Sequence, residues 1–257
     1  MGRVLVLLPP SESKREGTGH PFDVAKRPPP LRAPTEQVLD AVMRLCAADP
    51  FTAARMLKLS DGRFDLVHRN ADLAAAGTAP AWKVYTGVLY DALGFATLRG
   101  SARRRGLHDV WVSSALFGFV ALGEAIPAYR LSAGVTLPGL PPLKHVWSDG
   151  LTATMRQRNP DLILDLRSGP YAALWPVPAD LRERTVTGRI LELGPEGERV
   201  AMSHHNKAVK GRLLRSLLTT RRWPTSTRTL LAAMHDAGWD ATLEAGRLDV
   251  LATDGPG

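Results

Sequence analysis

The sequence predicts an α/β chain with a mixed sheet in one domain, closer to α+β than to a doubly wound fold, and three observations carry that prediction. Residues 3–8 are a continuous apolar run, the pattern of a strand buried on both faces, and 161–166 read as a second strong buried strand. Helical stripes recurring every three to four residues lie between and after these runs. Strands and helices do not alternate strictly, which argues for a mixed sheet over residues 1–257. With 44% hydrophobic and 23% charged residues, the composition is that of an ordinary globular domain and not of a disordered chain.

Taken in order, the strand at 3–8 ends at Pro9-Pro10 and empties into Ser11-Glu12-Ser13-Lys14. Loops at strand ends are common places for function, so Ser11 and Lys14 become candidates. Residues 15–34 are rich in Gly, Pro and basic side chains, and predict an extended, mobile loop able to act as a flap. Thr35 reads as the N-cap of a helix over 36–48, whose apolar side (Val38, Val42, Leu45) carries Cys46 as a core residue. A second helix over 51–57, a turn at 60–62 and a small Ala-rich helix over 70–77 follow.

Residues 81–93 interleave aromatics with a cation and a hydroxyl. Tyr85 and Thr86 have the chemistry to hydrogen-bond a phosphate or base, Trp82 or Tyr85 to stack on one, and Gly87 opens a helical run. Arg103-Arg104-Arg105 reads as a solvated charge run. After a strand at 110–113, the two glycines of 114–123, Gly118 among them, suggest a hairpin joining two helices with backbone amides free for a phosphate. Arg130, between an aromatic and an apolar residue, is expected to be partly buried and to need an anionic partner. Residues 144–155 carry Trp147 and start a helix near Ser148-Asp149, and the strand at 161–166 ends in a polar loop with Ser168 and Tyr171. A strand at 185–193 and a turn at 196–198 lead to a helix over 203–222.

That helix has an apolar stripe of Val209, Leu213 and Leu217, widened by Leu214 and Leu218. Arg212 and Arg215 point to its polar side, whereas Lys207 and Lys210 fall at the stripe's edge. Cations at a core edge are aimed at something, because an unpaired buried charge is costly. Gly211 sacrifices roughly 1 kcal/mol of helix stability relative to Ala, which fits close approach of another backbone or a ligand. A helix over 225–237 and a strand pair turning at Ala245-Gly246 complete the chain.

The formal net charge of +8 favours a polyanionic partner. A single cysteine excludes an internal disulfide framework and a zinc site of several thiolates. His204 and His205 are adjacent and diverge by about 100° on a helix, so no shared metal is expected, and no cofactor motif such as GxGxxG or a Walker A loop is present. No run approaches the roughly 18 apolar residues of a membrane span, and a cytoplasmic protein without a membrane partner is expected.

Several motifs, taken together and in order, resemble the YaaA peroxide-stress protein family. The 4–14 strand and loop is similar to the family's amino-terminal strand and Ser-Pro-Ala-Lys. Val84-Tyr85-Thr86-Gly87 matches its Val-Tyr-Thr-Gly, Ser114-Ala115-Leu116-Phe117-Gly118 its Ser-Gly-Leu-Tyr-Gly, and Tyr129-Arg130-Leu131 its Tyr-Arg-Leu. Asp165-Leu166-Arg167-Ser168 with Tyr171, and Lys207 to Gly211, resemble further family segments. The resemblance implies an α/β domain with a basic cleft and a helix-hairpin-helix-like element, DNA as partner, and a role in oxidative stress and recombinational repair. DNA binding through phosphates is therefore the first expectation. The alternative is an enzyme acting on a nucleotide, nucleoside or nucleobase in the same cleft. Lys14, Tyr85 and Lys207 are its catalytic candidates, Lys14 or Lys207 serving as base or nucleophile. For either function the expected contacts are Ser11, Lys14, Tyr85, Thr86, Gly118, Arg130, Ser168, Tyr171, Lys207, Lys210 and Arg212.

Overall fold

The structure, a computed structural model, describes residues 4–60, 62–202 and 206–252. The proposed turn residue Asp61 and the pair His204-His205 lie outside the described residues. The elements run β1 (Val4–Leu8), α1 (Pro29–Ala48), α2 (Pro50–Met56), α3 (Phe64–Ala71), β2 (Thr78–Pro80), α4 (Ala81–Val84), α5 (Val88–Leu93), α6 (Gly100–Asp109), β3 (Val110–Ser114), β4 (Gly118–Ala121) and β5 (Ala125–Pro127). They continue with α7 (Leu143–Arg158), β6 (Leu162–Asp165), α8 (Gly169–Leu174), β7 (Thr185–Leu193), β8 (Arg199–Ala201), α9 (Asn206–Thr219), α10 (Thr227–Asp236), β9 (Asp240–Glu244) and β10 (Arg247–Leu251).

Among the described residues one mixed sheet dominates, in the order β4-β3-β1-β6-β7-β10-β9, with β8 on β7. Its centre is parallel: β1 pairs with β3 and β6, β6 with β7, and β7 with β10. Antiparallel strands flank it, β4 on β3, β8 on β7 and β9 on β10. All five residues of β1 are buried, as its uninterrupted apolar run requires of a strand covered on both faces. The α/β class and mixed sheet predicted from sequence are present, and the parallel centre brings the fold nearer to a crossover sheet than the scatter of strands suggests.

Three local expectations are corrected. The first helix starts at Pro29, so Thr35 is no cap: it is buried inside α1 and its Oγ1 donates to Leu31 O at 2.6 Å. The proline run preceding it is what starts the helix, since proline is pre-organised for the first turn. Residues 70–77 do not form a helix of their own: the helix is α3, ending at Ala71. Residues 114–123 join two strands and not two helices, with Ser114 paired to Gly118 across a tight β-turn. The helix-hairpin-helix expectation fails at that stretch because Val110–Ser114 and Gly118–Ala121 are strands.

The part of 15–34 that precedes α1 is tied to the domain by specific contacts. Arg15 N donates to Val84 O at 2.8 Å and Gly19 N to Thr78 O at 2.9 Å. Arg27 is buried, with its guanidinium on Glu124, Phe117 O and, at 2.7 Å, Phe119 O. Gly211 fulfils the close-approach expectation. A Cβ there would sit 2.2 Å from Leu89 O, so α9 rests directly on the α5 backbone. Cys46 is buried against the same core, and burial pushes its thiol up to about 11.

Candidate functional site

β1 is the point where the parallel order diverges: the chain passes from β1 to β3 on one side and later returns to β6 on the other. In open α/β sheets, ligands bind outside the carboxyl ends of strands at such a switch point. The carboxyl ends of β1, β3 and β6 deliver here the 9–14 loop, Ser114 and the 166–171 loop.

The 9–14 loop is latched to the α4–α5 junction. Ser11 Oγ donates to Ser13 O at 2.6 Å and accepts from Thr86 N at 3.1 Å, and Tyr90 Oη donates to Pro9 O at 2.8 Å. A bridge between Lys14 and Tyr85 extends this latch. Ser11 and the Thr86 backbone therefore shape the loop, and Gly87 follows with φ of 96°, a left-handed value that suits glycine.

Shaping the loop this way turns Lys14 inward. Its Nζ donates to Ser11 O at 2.7 Å and lies 4.2 Å from the Tyr129 ring centroid and 5.5 Å from that of Tyr85. Among the described residues no carboxylate forms an ion pair with it. Burial lowers the amine from 10.5 to about 7, with help from Arg130 and Arg69 and against the pull of Glu12.

Beneath the amine runs a chain of hydroxyls. Ser114 Oγ accepts from Leu116 N at 3.2 Å and Phe117 N at 3.0 Å, so its proton goes to Tyr129 Oη at 2.7 Å. Tyr129 Oη in turn lies 3.0 Å from Tyr85 Oη. Burial raises Tyr85, Tyr90 and Tyr129, so each keeps its proton at neutral pH. Burial also pushes Tyr171 up to about 12, with the field of Arg130 opposing it.

Arg130 is held by a two-way clamp: Arg130 N donates to Asn70 Oδ1 at 2.9 Å, and Asn70 Nδ2 donates to Arg130 O at 2.7 Å. Its Nη1 lies 3.1 Å from Glu12 Oε2, the anionic partner expected for a partly buried arginine. Lys14, Tyr129 and Arg130 line a cavity of about 440 Å³ together with Lys58, Arg63 and Arg69. That volume lies within the range of small-molecule sites.

The remaining sequence candidates divide. Lys210 Nζ donates to Leu166 O at 2.9 Å, so it braces the end of β6 from α9, and burial lowers its amine. Ser168 accepts from Tyr171 N and Ala172 N through its carbonyl, each at 2.9 Å, starting α8. The loop carrying both is pinned by Arg167, which grips Asp165 through Nη2 at 2.7 Å and Nε at 2.9 Å and donates to Trp175 O at 3.0 Å. Gly118 is packed against Trp147 and Leu151, so the amide cradle expected there is filled by core side chains. Lys207 is exposed and lines no part of the Lys14 cavity.

Arg212 belongs to a second hollow, of about 1010 Å³, lined by Arg215, Arg221, Arg222 and Trp223 between α9 and α10. Arg215 caps α5 there, its Nη1 donating to Leu93 O at 3.0 Å and Gly94 O at 3.1 Å. It does not point to the polar side alone, as its wheel position suggested.

Sequence reasoning missed Tyr129, Ser114 and Asn70, and the cationic wall of Lys58, Arg63 and Arg69. Tyr129 and Ser114 stood inside quoted motifs as an aromatic and a strand-end hydroxyl. The wall residues carry no motif and share the cavity with Lys14 only through the packing of α3 and of the segment joining it to α2. Among the described residues no three His, Cys, Asp or Glu side chains cluster as a metal site would need.

Fold and site together define a crossover-sheet α/β protein with an enclosed lysine amine at the carboxyl edge of its sheet. Residues 4–241 match the family described as peroxide stress protein YaaA, and the chain belongs to that family. It is 42% identical over 245 residues to a UPF0246 protein of Streptomyces coelicolor, covering 94% of this chain and 93% of the relative. It is also 37% identical to a UPF0246 protein of Corynebacterium efficiens, over 96% and 98% of the two chains. A UPF0246 protein of Corynebacterium glutamicum is 33% identical, over 91% and 93%.

Proposed function

We propose that this protein is an enzyme acting on a nucleotide, nucleoside or nucleobase, with Lys14 as the reacting amine. The observation that carries the reading is the enclosed Lys14 Nζ, held on Ser11 O beside Tyr129 with no paired carboxylate among the described residues. An amine near pH 7 is partly neutral in water, and a neutral amine is a nucleophile or a base. In glycosidic chemistry its nitrogen forms a bond to the anomeric carbon while the glycosidic bond breaks, its electron pair leaving with the base. The new ammonium gives up a proton, the departing base takes one, and water then releases the sugar from the lysine. Arg130 orients the anionic end of such a ligand, and the Tyr129 ring, fixed by its hydroxyl's bonds to Ser114 and Tyr85, holds the amine in place.

Amine-selective labelling followed by mass spectrometry, across pH, tests this. Lys14 should label with a midpoint near 7, well below the ordinary lysine value of about 10.4. Nucleotides or nucleobases should protect Lys14 alone, and K14M should lose any release of free base. A Lys14 midpoint at the ordinary lysine value, or no protection by any of these ligands, sinks the reading.

DNA binding is a second reading, favoured by one specific observation. Arg212, Arg221 and Arg222 are exposed at the second hollow and form no ion pair among the described residues, and Trp223 lines the same hollow with the Arg105 guanidinium over its ring. Contacts of that kind give affinity that falls steeply with salt and little sequence preference.

A further inference from the structure

Glu12 and Arg130 are an unequal pair. The arginine side chain is 14% exposed and the glutamate side chain 79% exposed, so the cation is fixed and the anion comes from the surface. Arg130 is anchored through its backbone by Asn70, and its Nε is buried without a hydrogen-bond partner. An orphaned buried guanidinium nitrogen is costly, and a single carboxylate on Nη1 leaves that cost in place. Arg69, Arg63 and Lys58 face the same cavity; Arg69 and Arg63 are partly balanced outside it by Glu16 at 2.6 Å and Asp65 at 3.1 Å. The described wall of the cavity thus carries five cationic side chains and the carboxylate of Glu12.

We propose that the cavity is a site for a terminal phosphate monoester and that the Glu12 carboxylate is an exchangeable stand-in for it on Arg130. This deepens the reading of the Lys14 cavity as a ligand site and rests on it. A phosphate monoester brings two charges and three terminal oxygens where Glu12 brings one charge and two oxygens. It therefore satisfies Arg130 and a second cation, Arg69, at once. Release of Glu12 is easy, because its side chain is largely exposed and water solvates the carboxylate once it leaves Arg130. With the phosphate at the mouth, the body of the ligand extends toward Lys14 and Tyr129 on the floor. Glu12 thereby selects for ligands that outcompete a carboxylate, and monoanionic carboxylates are poor ones.

Calorimetric titration of the full chain with inorganic phosphate, ribose 5-phosphate, ribose and acetate at constant ionic strength tests the proposal. Phosphate and ribose 5-phosphate should bind, and ribose and acetate should not. E12Q, a change at an exposed side chain, should bind both phosphates about tenfold more tightly, because the internal competitor has lost its charge. R130K, which keeps charge but loses the fork, should bind them about tenfold more weakly, with its thermal midpoint checked alongside. Oligonucleotides with and without a 5′-phosphate separate a metabolite from a nucleic-acid end. Preference for the phosphorylated form keeps the monoester chemistry, and equal binding of the two overturns it. Unchanged or weaker phosphate binding by E12Q also overturns it. Labelling of Lys14 is read separately, so a reactive Lys14 with no phosphate effect ends this inference alone, and an unreactive Lys14 ends the catalytic reading.

Discussion

The molecule has two basic hollows, and they spend their charge differently. At the carboxyl ends of β1, β3 and β6, Lys14 is enclosed, its amine is lowered to about 7, and tyrosines lie beneath it. Between α9 and α10 the hollow is larger, yet Arg212, Arg221 and Arg222 are exposed and Arg215 is occupied with the carbonyls of α5. An exposed arginine changes little except the field around it, whereas an enclosed amine changes its chemistry. A net charge of +8 therefore says that anions are attracted, and burial says where an amine loses its charge most readily.

Helix α9 carries Arg212 and Arg215 into the open hollow and Lys210 to Leu166 O at the end of β6, beside the Lys14 site, and Gly211 seats it. The largest expected effect follows from breaking that seat. Gly211→Val puts a side chain into Leu89 O and the α5 backbone, and should cost about 3 kcal/mol or more in denaturant unfolding while weakening both sites together. A stable G211V with either site intact would show that the two regions do not depend on a common helix.

The second test isolates the enclosed amine. Lys14 titrates near 7 when folded and near 10.5 when unfolded, so between these values the unfolded chain holds the extra proton and stability rises with pH. The gap in stability between wild type and K14M should therefore be widest at or below pH 7 and close by about 2–4 kcal/mol as pH climbs toward 10. Equal pH profiles for the two proteins would place the amine in solvent and erase the contrast.

The smallest effect belongs to the open hollow. Replacing Arg212, Arg221 and Arg222 with serine should leave unfolding within about 0.5 kcal/mol per site and Lys14 labelling unchanged. It should flatten the salt dependence of binding to single-stranded or duplex DNA by about 2–3 in log–log slope. If the substitutions move Lys14 labelling instead, the two hollows are one site.

Much of the scaffold was legible. The apolar run of β1, the strand at 162–165 and the β9–β10 hairpin turning at Ala245-Gly246 depend on short-range pattern, which one chain displays. The close approach at Gly211 was legible because a glycine inside an apolar helix stripe needs a reason. What failed depended on partners distant in sequence. Residues 114–118 turn sharply because Ser114 Oγ gathers two amides, and Arg27 is buried because Glu124 and two carbonyls await it. Pro34 sits inside α1, leaving Pro30 O without its usual amide donor, and that carbonyl packs against Gly150 of α7. Lys14 and Arg130 were identified as chemistry-bearing from strand-end position and flanking residues. The cations around them were not, since nothing local in α3 distinguishes an arginine facing a cavity from one facing water.

The burial of Cys46 bears on how this protein relates to oxidants. Hydrogen peroxide reacts with thiolate, and a sulfur walled in by α1 and α3 neighbours with its proton held to about 11 offers almost none. With no second cysteine in the sequence, no disulfide can form within the chain. Cys46 therefore serves as a packing residue of the core, shielded from oxidation by its burial.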